Sequence, residues 1–220
     1  MVMNATKIRR GLTLFGILVL LFNIYEYIVE LSPRSEMRVV ILECILGIGL
    51  IYLPDLIKKY FKILIPESIT YFYWFFLFIA VFLGTCLHLI RIISGWDKLL
   101  HSISPMLLTA VGYGLIAMFL KKAHTKDVSI WLFLLFGFAF SGVCGVFWEF
   151  WEFLCDSVAS LNLQRYISHG QELIGRAALM DTMLDMFTNT AGAIVMGIYA
   201  FAKSGGQPEY FESYRIRKIK

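Results

Sequence analysis

Hydrophobic residues along this chain form six long stretches, which short polar connections separate. A helix needs about 20 apolar residues to cross the hydrocarbon core of a bilayer, and the stretches are close to that length. The pattern therefore predicts six membrane-spanning helices, at about residues 11–31, 37–53, 70–93, 97–120, 130–156 and 181–202. Because the connections are too short to hold another domain, we expect an all-α, polytopic membrane protein with residues 1–220 in one six-helix membrane domain.

The composition also favours a membrane location. Hydrophobic residues make up 59% of the chain and charged residues 16%, whereas soluble domains carry about 25% charged residues. The net positive charge does not indicate a nucleic-acid partner, because the basic residues lie at the ends of the predicted helices. We therefore expect a multi-pass protein of the inner or plasma membrane, with the lipid bilayer as its partner and no nucleic acid.

The distribution of Lys and Arg predicts the orientation of the helices. Of the 20 basic residues, 14 lie in the N-terminal arm, the second-to-third connection, the basic loop at 121–127 and the C-terminal tail. With six spans these four segments share one side of the membrane. Since the side richer in Lys and Arg is normally cytoplasmic, both termini are predicted to be cytoplasmic.

The fifth stretch contains an unusual acidic and aromatic pattern between Gly145 and Asp156. Glu149, Glu152 and Asp156 are spaced by three and four residues, so they share one face of a helix while aromatic residues fill the other faces. A charge inside an apolar run is costly, and it usually faces the protein interior and serves a function. We therefore expect this acidic stripe to meet partners from other helices.

The predicted orientation places nearly all ionisable residues of the spans in the outer leaflet. They lie where the first, third and fifth spans end and where the second, fourth and sixth begin. Those on the last four spans include His88, Arg91, Asp97, His101, Glu149, Glu152, Asp156, Asp181 and Asp185, with Asn189 one turn further. The sequence therefore predicts a polar cavity that opens to the extracytoplasmic side.

Carboxylates and imidazoles on facing helices are suitable ligands for a divalent cation. A cation would also reduce the repulsion between crowded carboxylates, some of which would otherwise stay protonated. We therefore predict a site for one divalent metal ion, with the candidate ligands His101, Glu149, Glu152, Asp181 and Asp185. An acid-rich set of ligands favours Mg²⁺, Mn²⁺ or Ca²⁺, and a set that includes histidine admits Zn²⁺.

A metal in such a cavity could polarise a phosphoryl or acyl oxygen or activate a water molecule. For an enzyme, the candidate catalytic residues are Glu149, Glu152 and Asp185. The candidate substrate-binding residues are His88, Arg91, Asp97, Lys98, Arg176 and Asn189. Basic residues near the outer loops could hold a phosphate, so the expected substrate is an outer-leaflet lipid, a lipid-linked phosphate or another cell-envelope precursor.

Two other functions stay open at this point. Intramembrane acids and histidines also form ion pathways, which would suit an ion-coupled transporter, although the inner half of the spans lacks polar residues for a complete path. A non-enzymatic membrane or envelope factor would pair its carboxylates with Arg or Lys. Single residues also have structural interpretations: Asp97 and Asp181 as helix caps, and His88 as a hydrogen-bonding partner of a neighbouring helix.

Three short segments carry a family resemblance: Trp96-Asp-Lys-Leu-Leu-His101, Phe147-Trp-Glu-Phe-Trp-Glu152, and Asp181-Thr-Met-Leu-Asp185 followed by Ala191-Gly-Ala. They resemble the bacterial YjdF-type integral membrane proteins, which implies a six-helix bacterial membrane protein and no particular reaction.

A weaker similarity links the chain to VanZ-like proteins, through the Asp-Lys-Leu-Leu-His segment and a later series of polar residues and glycine. That series is Gln171, Glu172, Arg176, Asp185, Asn189 and Gly192. The VanZ-like family is linked to glycopeptide resistance and the cell envelope, so the similarity implies an outward-facing site.

Overall fold

The computed structural model describes residues 4–120 and 127–219. Apart from Asp127, the basic loop predicted at 121–127 lies outside the described residues. The chain falls into two compact units, one with residues 1–100 and 216–220 and the other with residues 101–215. We describe each unit by itself.

The first unit is mainly helical. Its elements are α1 (Ala5–Val29), α2 (Arg34–Leu50), α3 (Leu53–Leu56), a π-helical turn (Ile57–Phe61), β1 (Ile63–Leu64), α4 (Glu67–Leu77), a π-helical segment (Phe78–Cys86) and α5 (Leu89–Ile92). The unit also contains the start of α6 (Trp96–Phe119) and a C-terminal strand, β4 (Arg217–Lys218). β4 pairs antiparallel with β1, so the end of the chain is held in place.

The core of the first unit lies between α1, α2 and the segment that continues α4. Its buried side chains are Val19, Met37, Val40, Cys44, Ile51, Leu77, Phe82 and Cys86. Gly16 allows the close packing, because a Cβ there would lie 2.8 Å from Ile48 Cγ1 and 2.9 Å from Phe82 Cε1.

The second unit is a three-helix arrangement with a C-terminal segment packed against it. Its elements are the remainder of α6, α7 (Ile130–Ala159), β2 (Ile167–Ser168), β3 (Gln171–Glu172), α8 (Arg176–Ser204) and a 3₁₀-helix (Pro208–Tyr214). β2 and β3 form a small antiparallel hairpin in the loop between α7 and α8.

The helices of the second unit pack closely against one another at glycine residues. A Cβ at Gly112 of α6 would lie 2.7 Å from the Cα of Gly137 in α7. A Cβ at Gly192 of α8 would collide with the carbonyl oxygen of Ser102 and lie 2.7 Å from Pro105 Cγ in α6. These glycines therefore bring α7 and α8 directly against α6.

One end of the second unit is closed by aromatic side chains, and we call it the tail end. Phe211 of the 3₁₀-helix stacks on Phe133 at a centroid distance of 4.6 Å and contacts Tyr113 at 4.9 Å. Arg215 donates a hydrogen bond to the carbonyl of Ala117, near the C-terminus of α6, and two to Glu212. The polar tail predicted after residue 202 therefore includes a packed structural element.

The helix boundaries follow the predicted spans with local differences. The third predicted span, 70–93, is interrupted after Cys86, where His88 adopts a positive φ of 60°. The second, 37–53, ends at Leu50, and the following helix Leu53–Phe61 is bent away by 50°.

Four helices of the described chain are long and apolar enough to cross a membrane: Ala5–Val29, Glu67–Cys86, Trp96–Phe119 and Ile130–Ala159. A fifth is added if α2 and the bent helix after it form one span. The structure therefore confirms a mostly helical chain with four or five candidate membrane helices. The sixth span, the position of the termini and the single membrane domain stay predictions.

Candidate functional site

Helix α7 buries its acids and exposes its aromatic residues. Glu149, Glu152 and Asp156 are 5%, 7% and 6% exposed, whereas Phe147 and Trp151 on the other faces are 66% and 55% exposed. In water-soluble proteins acids of this kind almost never become fully buried without a partner. The acidic stripe therefore faces the interior of the second unit, as its spacing predicts, and the aromatic residues face outward.

Three carboxylates of the second unit meet at the end opposite to the tail end. Glu149 and Glu152 of α7 and Asp185 of α8 each offer an oxygen, and these three atoms lie within 4.8 Å of one another. We call these residues the carboxylate cluster. Two oxygens bound to one cation at about 2.0–2.6 Å can be at most about 4–5 Å apart, so the spacing is compatible with a shared ion.

His101 of α6 adjoins the carboxylate cluster. Its Nδ1 lies 3.6 Å from Asp185 Oδ1, and the residue is 7% exposed. Gly192 makes this approach possible, because it allows α8 to pack against α6 two turns beyond Asp185. The structure therefore brings together four of the five predicted metal ligands.

Asp181 is placed differently from the other four. It lies one turn before Asp185 in α8, and its Oδ1 is 3.9 Å from Nε of Arg165 in the loop before that helix. Among the described residues it is not one of the acids found within 4.8 Å of one another. Its assignment as a metal ligand stays a prediction.

Other side chains of the second unit hold the cluster in position. Trp148 Nε1 donates a hydrogen bond of 2.9 Å to Glu152 Oε1. Asn189, one turn after Asp185, is 8% exposed and packs over Gly145, where a Cβ would lie 2.9 Å from Asn189 Nδ2. The supporting roles of Trp148 and Gly145 were not predicted, although each residue lies four positions before one of the two glutamates and so shares its side of the helix.

Asp156 has a structural role in the loop that follows α7. Its two carboxylate oxygens accept hydrogen bonds from the backbone N–H groups of Leu163 and Gln164, at 2.7 and 2.9 Å. Gln164 in turn donates to Thr182 Oγ1 at 2.9 Å. Asp156 therefore fixes the loop beside the N-terminal part of α8.

Several predicted substrate-binding residues are paired within the first unit. His88 Nε2 lies 3.0 Å from Glu26 Oε2, and Arg91 forms an ion pair of 2.8 Å with Glu36. Lys98 and Asp97 are 3.1 Å apart. Of the remaining two, Asn189 lies beside the cluster and Arg176 is the exposed first residue of α8. A role of any of them in substrate binding stays a prediction.

Long apolar helices that expose aromatic residues and bury carboxylates define a helical membrane protein with a polar interior site. The chain belongs to the family of predicted membrane proteins DUF2238, which matches residues 11–204. This is the family that the YjdF-type resemblance indicates, so that prediction is confirmed.

Searches among the curated proteins and the solved structures found no match to the chain. The weaker similarity to VanZ-like proteins is not confirmed and stays a prediction. Membership of the family supports the membrane location and the lipid bilayer as partner. It names no reaction, metal or substrate.

Proposed function

We propose that the protein is a metal-dependent membrane enzyme that acts on a lipid or cell-envelope precursor. The observation that carries the proposal is the convergence of Glu149, Glu152 and Asp185, whose oxygens lie within 4.8 Å of one another in a buried position. The three-residue spacing of the two glutamates accounts for their position on one face of α7. Asp185 lies on another helix, α8, and reaches them only when the chain folds.

The electrostatics of the cluster favour a cation. Two unit charges about 4 Å apart repel by about 4 kcal/mol at an effective dielectric constant of about 20. Three neighbouring carboxylates in a buried site therefore repel one another, and added protons or positive charge offset that repulsion. A divalent ion neutralises the carboxylates together, and it binds to the folded arrangement only, which stabilises the fold.

The donor set indicates which ions fit. Carboxylate oxygens suit Mg²⁺, Mn²⁺ and Ca²⁺, and His101 beside Asp185 adds a nitrogen that admits Zn²⁺. In this proposal the carboxylate cluster holds the ion, which would polarise a phosphoryl or acyl oxygen of the substrate. His101 would bind the ion or orient Asp185, and it can exchange a proton with the substrate. Asn189 would hold a polar substrate group.

The substrate class follows from the surroundings of the site. The outward faces of α7 and α8 are apolar, with Phe150 62% and Phe187 70% exposed. An amphiphilic substrate could approach along such faces. Arg165 and Arg176 lie in the loop and first turn before Asp185 and would attract a phosphate group. These features favour a lipid or a lipid-linked phosphate.

The proposed topology has six spans, with both termini in the cytoplasm of a bacterial cell and the carboxylate cluster toward the outside. Helix α8 supplies the sixth span. It has 29 residues, about 43 Å at 1.5 Å per residue, which exceeds the hydrocarbon thickness of about 30 Å. Its buried polar residues explain its lower hydropathy. The distribution of basic residues, 14 of 20 on the proposed cytoplasmic side, supports the orientation.

Thermal melting of the purified protein tests the metal site. After treatment with a chelator, addition of Mg²⁺, Mn²⁺, Ca²⁺ or Zn²⁺ should raise the melting temperature of the wild type for at least one ion. Glu149→Gln and Asp185→Asn keep the side-chain volume and remove the charge, so each should abolish the increase.

The matched control is Glu43→Gln, which changes a half-buried carboxylate of the first unit and should leave the increase unchanged. If none of the four ions shifts the melting of the wild type, the metal-dependent enzyme is rejected. An equal increase in the wild type and in both cluster variants would place the ion elsewhere.

A further inference from the structure

A stripe of buried residues extends from the carboxylate cluster along α6 toward the tail end. It consists of His101, Pro105, Thr109 and Tyr113, which follow one another at intervals of four and are all buried. Residues at this spacing lie one above the next on a helix. Thr109 lies about 12 Å and Tyr113 about 18 Å beyond His101 along the axis, at 1.5 Å per residue.

Two hydroxyl groups of this stripe have no hydrogen-bond partner among residues 4–120 and 127–219. They are Thr109 Oγ1 and Tyr113 OH, and both residues are 0% exposed. A buried hydroxyl without a partner is destabilising, and native proteins contain few of them, so each needs an explanation. Here two occur four residues apart on the same helix, between the cluster and the tail end.

Polar groups continue the stripe toward the cluster. Ser141 of α7 donates a hydrogen bond of 3.0 Å to the carbonyl oxygen of Pro105. Pro105 interrupts the regular hydrogen-bond pattern of α6, because it has no N–H to donate. Asn189 is buried one turn from Asp185. Hydrogen-bonding groups of α6, α7 and α8 therefore lie between the cluster and Thr109.

Polar groups also continue the stripe toward the surface at the tail end. The rings of Tyr113 and Tyr214 are 5.7 Å apart, and the hydroxyls of Tyr214 and Tyr210 are 3.0 Å apart. Tyr210 is partly exposed. Burial raises the pKa of Tyr214, as does its hydrogen bond to Tyr210. The Tyr214 hydroxyl therefore keeps its proton at neutral pH and can both donate and accept.

We propose that Thr109, Tyr113, Tyr214 and Tyr210 form a proton path through the second unit, from the carboxylate cluster to the tail end. Each hydroxyl accepts a proton on one side and donates one on the other, so one proton leaves the path for each that enters. The steps along α6 are longer than a hydrogen bond, so water between the hydroxyls would complete them. The path would let the site exchange protons with the opposite side of the membrane, and it does not depend on a bound metal.

A proton-flux measurement tests the path. The full-length protein is reconstituted into vesicles that contain a pH-sensitive dye, and a pH difference is applied with potassium and valinomycin to balance charge. The wild type should conduct protons faster than protein-free vesicles. Thr109→Val and Tyr113→Phe remove only the hydroxyls, and each should lower the rate to that of protein-free vesicles. Thr109→Ser keeps a hydroxyl and should conduct.

Two matched controls remove hydroxyls outside the stripe. Tyr73→Phe removes a hydroxyl that donates a hydrogen bond to the carbonyl of Leu50. Thr190→Val removes a hydroxyl that donates to the carbonyl of Met186. Both variants should conduct like the wild type. A wild-type rate equal to that of protein-free vesicles overturns the proposal, as does wild-type conduction by both Thr109→Val and Tyr113→Phe. Cooperative thermal melting of each variant verifies that a lost flux is not lost folding.

Discussion

Asp185 is the residue on which the candidate site depends most. It is 1% exposed, its carboxylate lies 3.6 Å from His101 Nδ1, and it shares the cluster with Glu149 and Glu152. It therefore links α8 to both α6 and α7 at one point. Loss of its charge should affect a bound ion more than loss of any other single group in the site.

Gly192 sets the distance between α8 and α6, and its replacement tests that role. In Gly192→Ala the new Cβ would collide with the Ser102 carbonyl, a backbone atom that cannot move aside. Overpacking of this kind costs about 1–3 kcal/mol, and separation of the helices would move Asp185 away from His101. We expect a lower melting temperature and a smaller stabilisation by the added metal ion.

Gly197→Ala, on the same helix, is the matched control. A Cβ there meets no atom within 4 Å, and alanine favours a helix over glycine by about 1 kcal/mol. Its melting temperature should be unchanged or slightly higher, and its response to metal should equal that of the wild type. If both variants melt like the wild type, the close packing of α8 on α6 is contradicted.

The sequence predicts the main acids of the site for a simple reason. Spacing by three and four residues determines which side chains share a helix face, and a charge in an apolar run must face inward. The same spacing places Asp156 on this face, but it does not predict that its carboxylate accepts hydrogen bonds from loop amides rather than meeting another helix. That difference depends on how the loop at 160–166 folds back, and spacing within the helix does not contain that information.

At the scale of the helices, a long apolar run predicts that a helix exists more reliably than it predicts where that helix begins or ends. The predicted span 130–156 corresponds to α7 (Ile130–Ala159), and 97–120 to α6 (Trp96–Phe119). The span 70–93 ends early, since its chain continues as a π-helical segment that stops at Cys86. The π-helical turns of Phe78–Cys86 contain no proline, so the sequence gives no sign of where the regular α-helix stops.

The hydrophobic pattern also does not predict which residues are buried between the helices. The sequence pattern predicts that the inner half of the spans lacks polar residues for a complete path. The structure instead buries Thr109 and Tyr113 in α6 toward the tail end. Hydroxyl groups on a threonine or tyrosine are common in apolar helices, and only the absence of a partner among the described residues distinguishes these two.

The tail segment is a second element that the pattern did not indicate. Pro208–Tyr214 forms a 3₁₀-helix whose Phe211 is 0% exposed. Short polar segments with scattered aromatic residues have no helical or strand periodicity, so sequence reasoning assigns them to a tail. The burial of their aromatic residues can be predicted only when the surface against which they pack is known.

At the scale of the molecule, the proposed topology makes a prediction about compartments. Reporter fusions at Lys203 and near Asn162 should report the cytoplasm and the outside, respectively, because Lys203 lies at the C-terminal end of α8 and Asn162 in the loop that precedes this helix. The basic residues at the proposed cytoplasmic ends supply the orientation. Two reporters in the same compartment would contradict α8 as a membrane span and the outward position of the carboxylate cluster.

The metal content of the purified protein tests the central claim most directly. Protein isolated without chelator is analysed by elemental mass spectrometry, beside Glu149→Gln, Asp185→Asn and the control Glu43→Gln. We predict one divalent ion per chain in the wild type and in Glu43→Gln, and loss of most of it in both cluster variants. A wild type without a bound divalent ion, or cluster variants that retain it in full, would contradict a metal site formed by Glu149, Glu152 and Asp185.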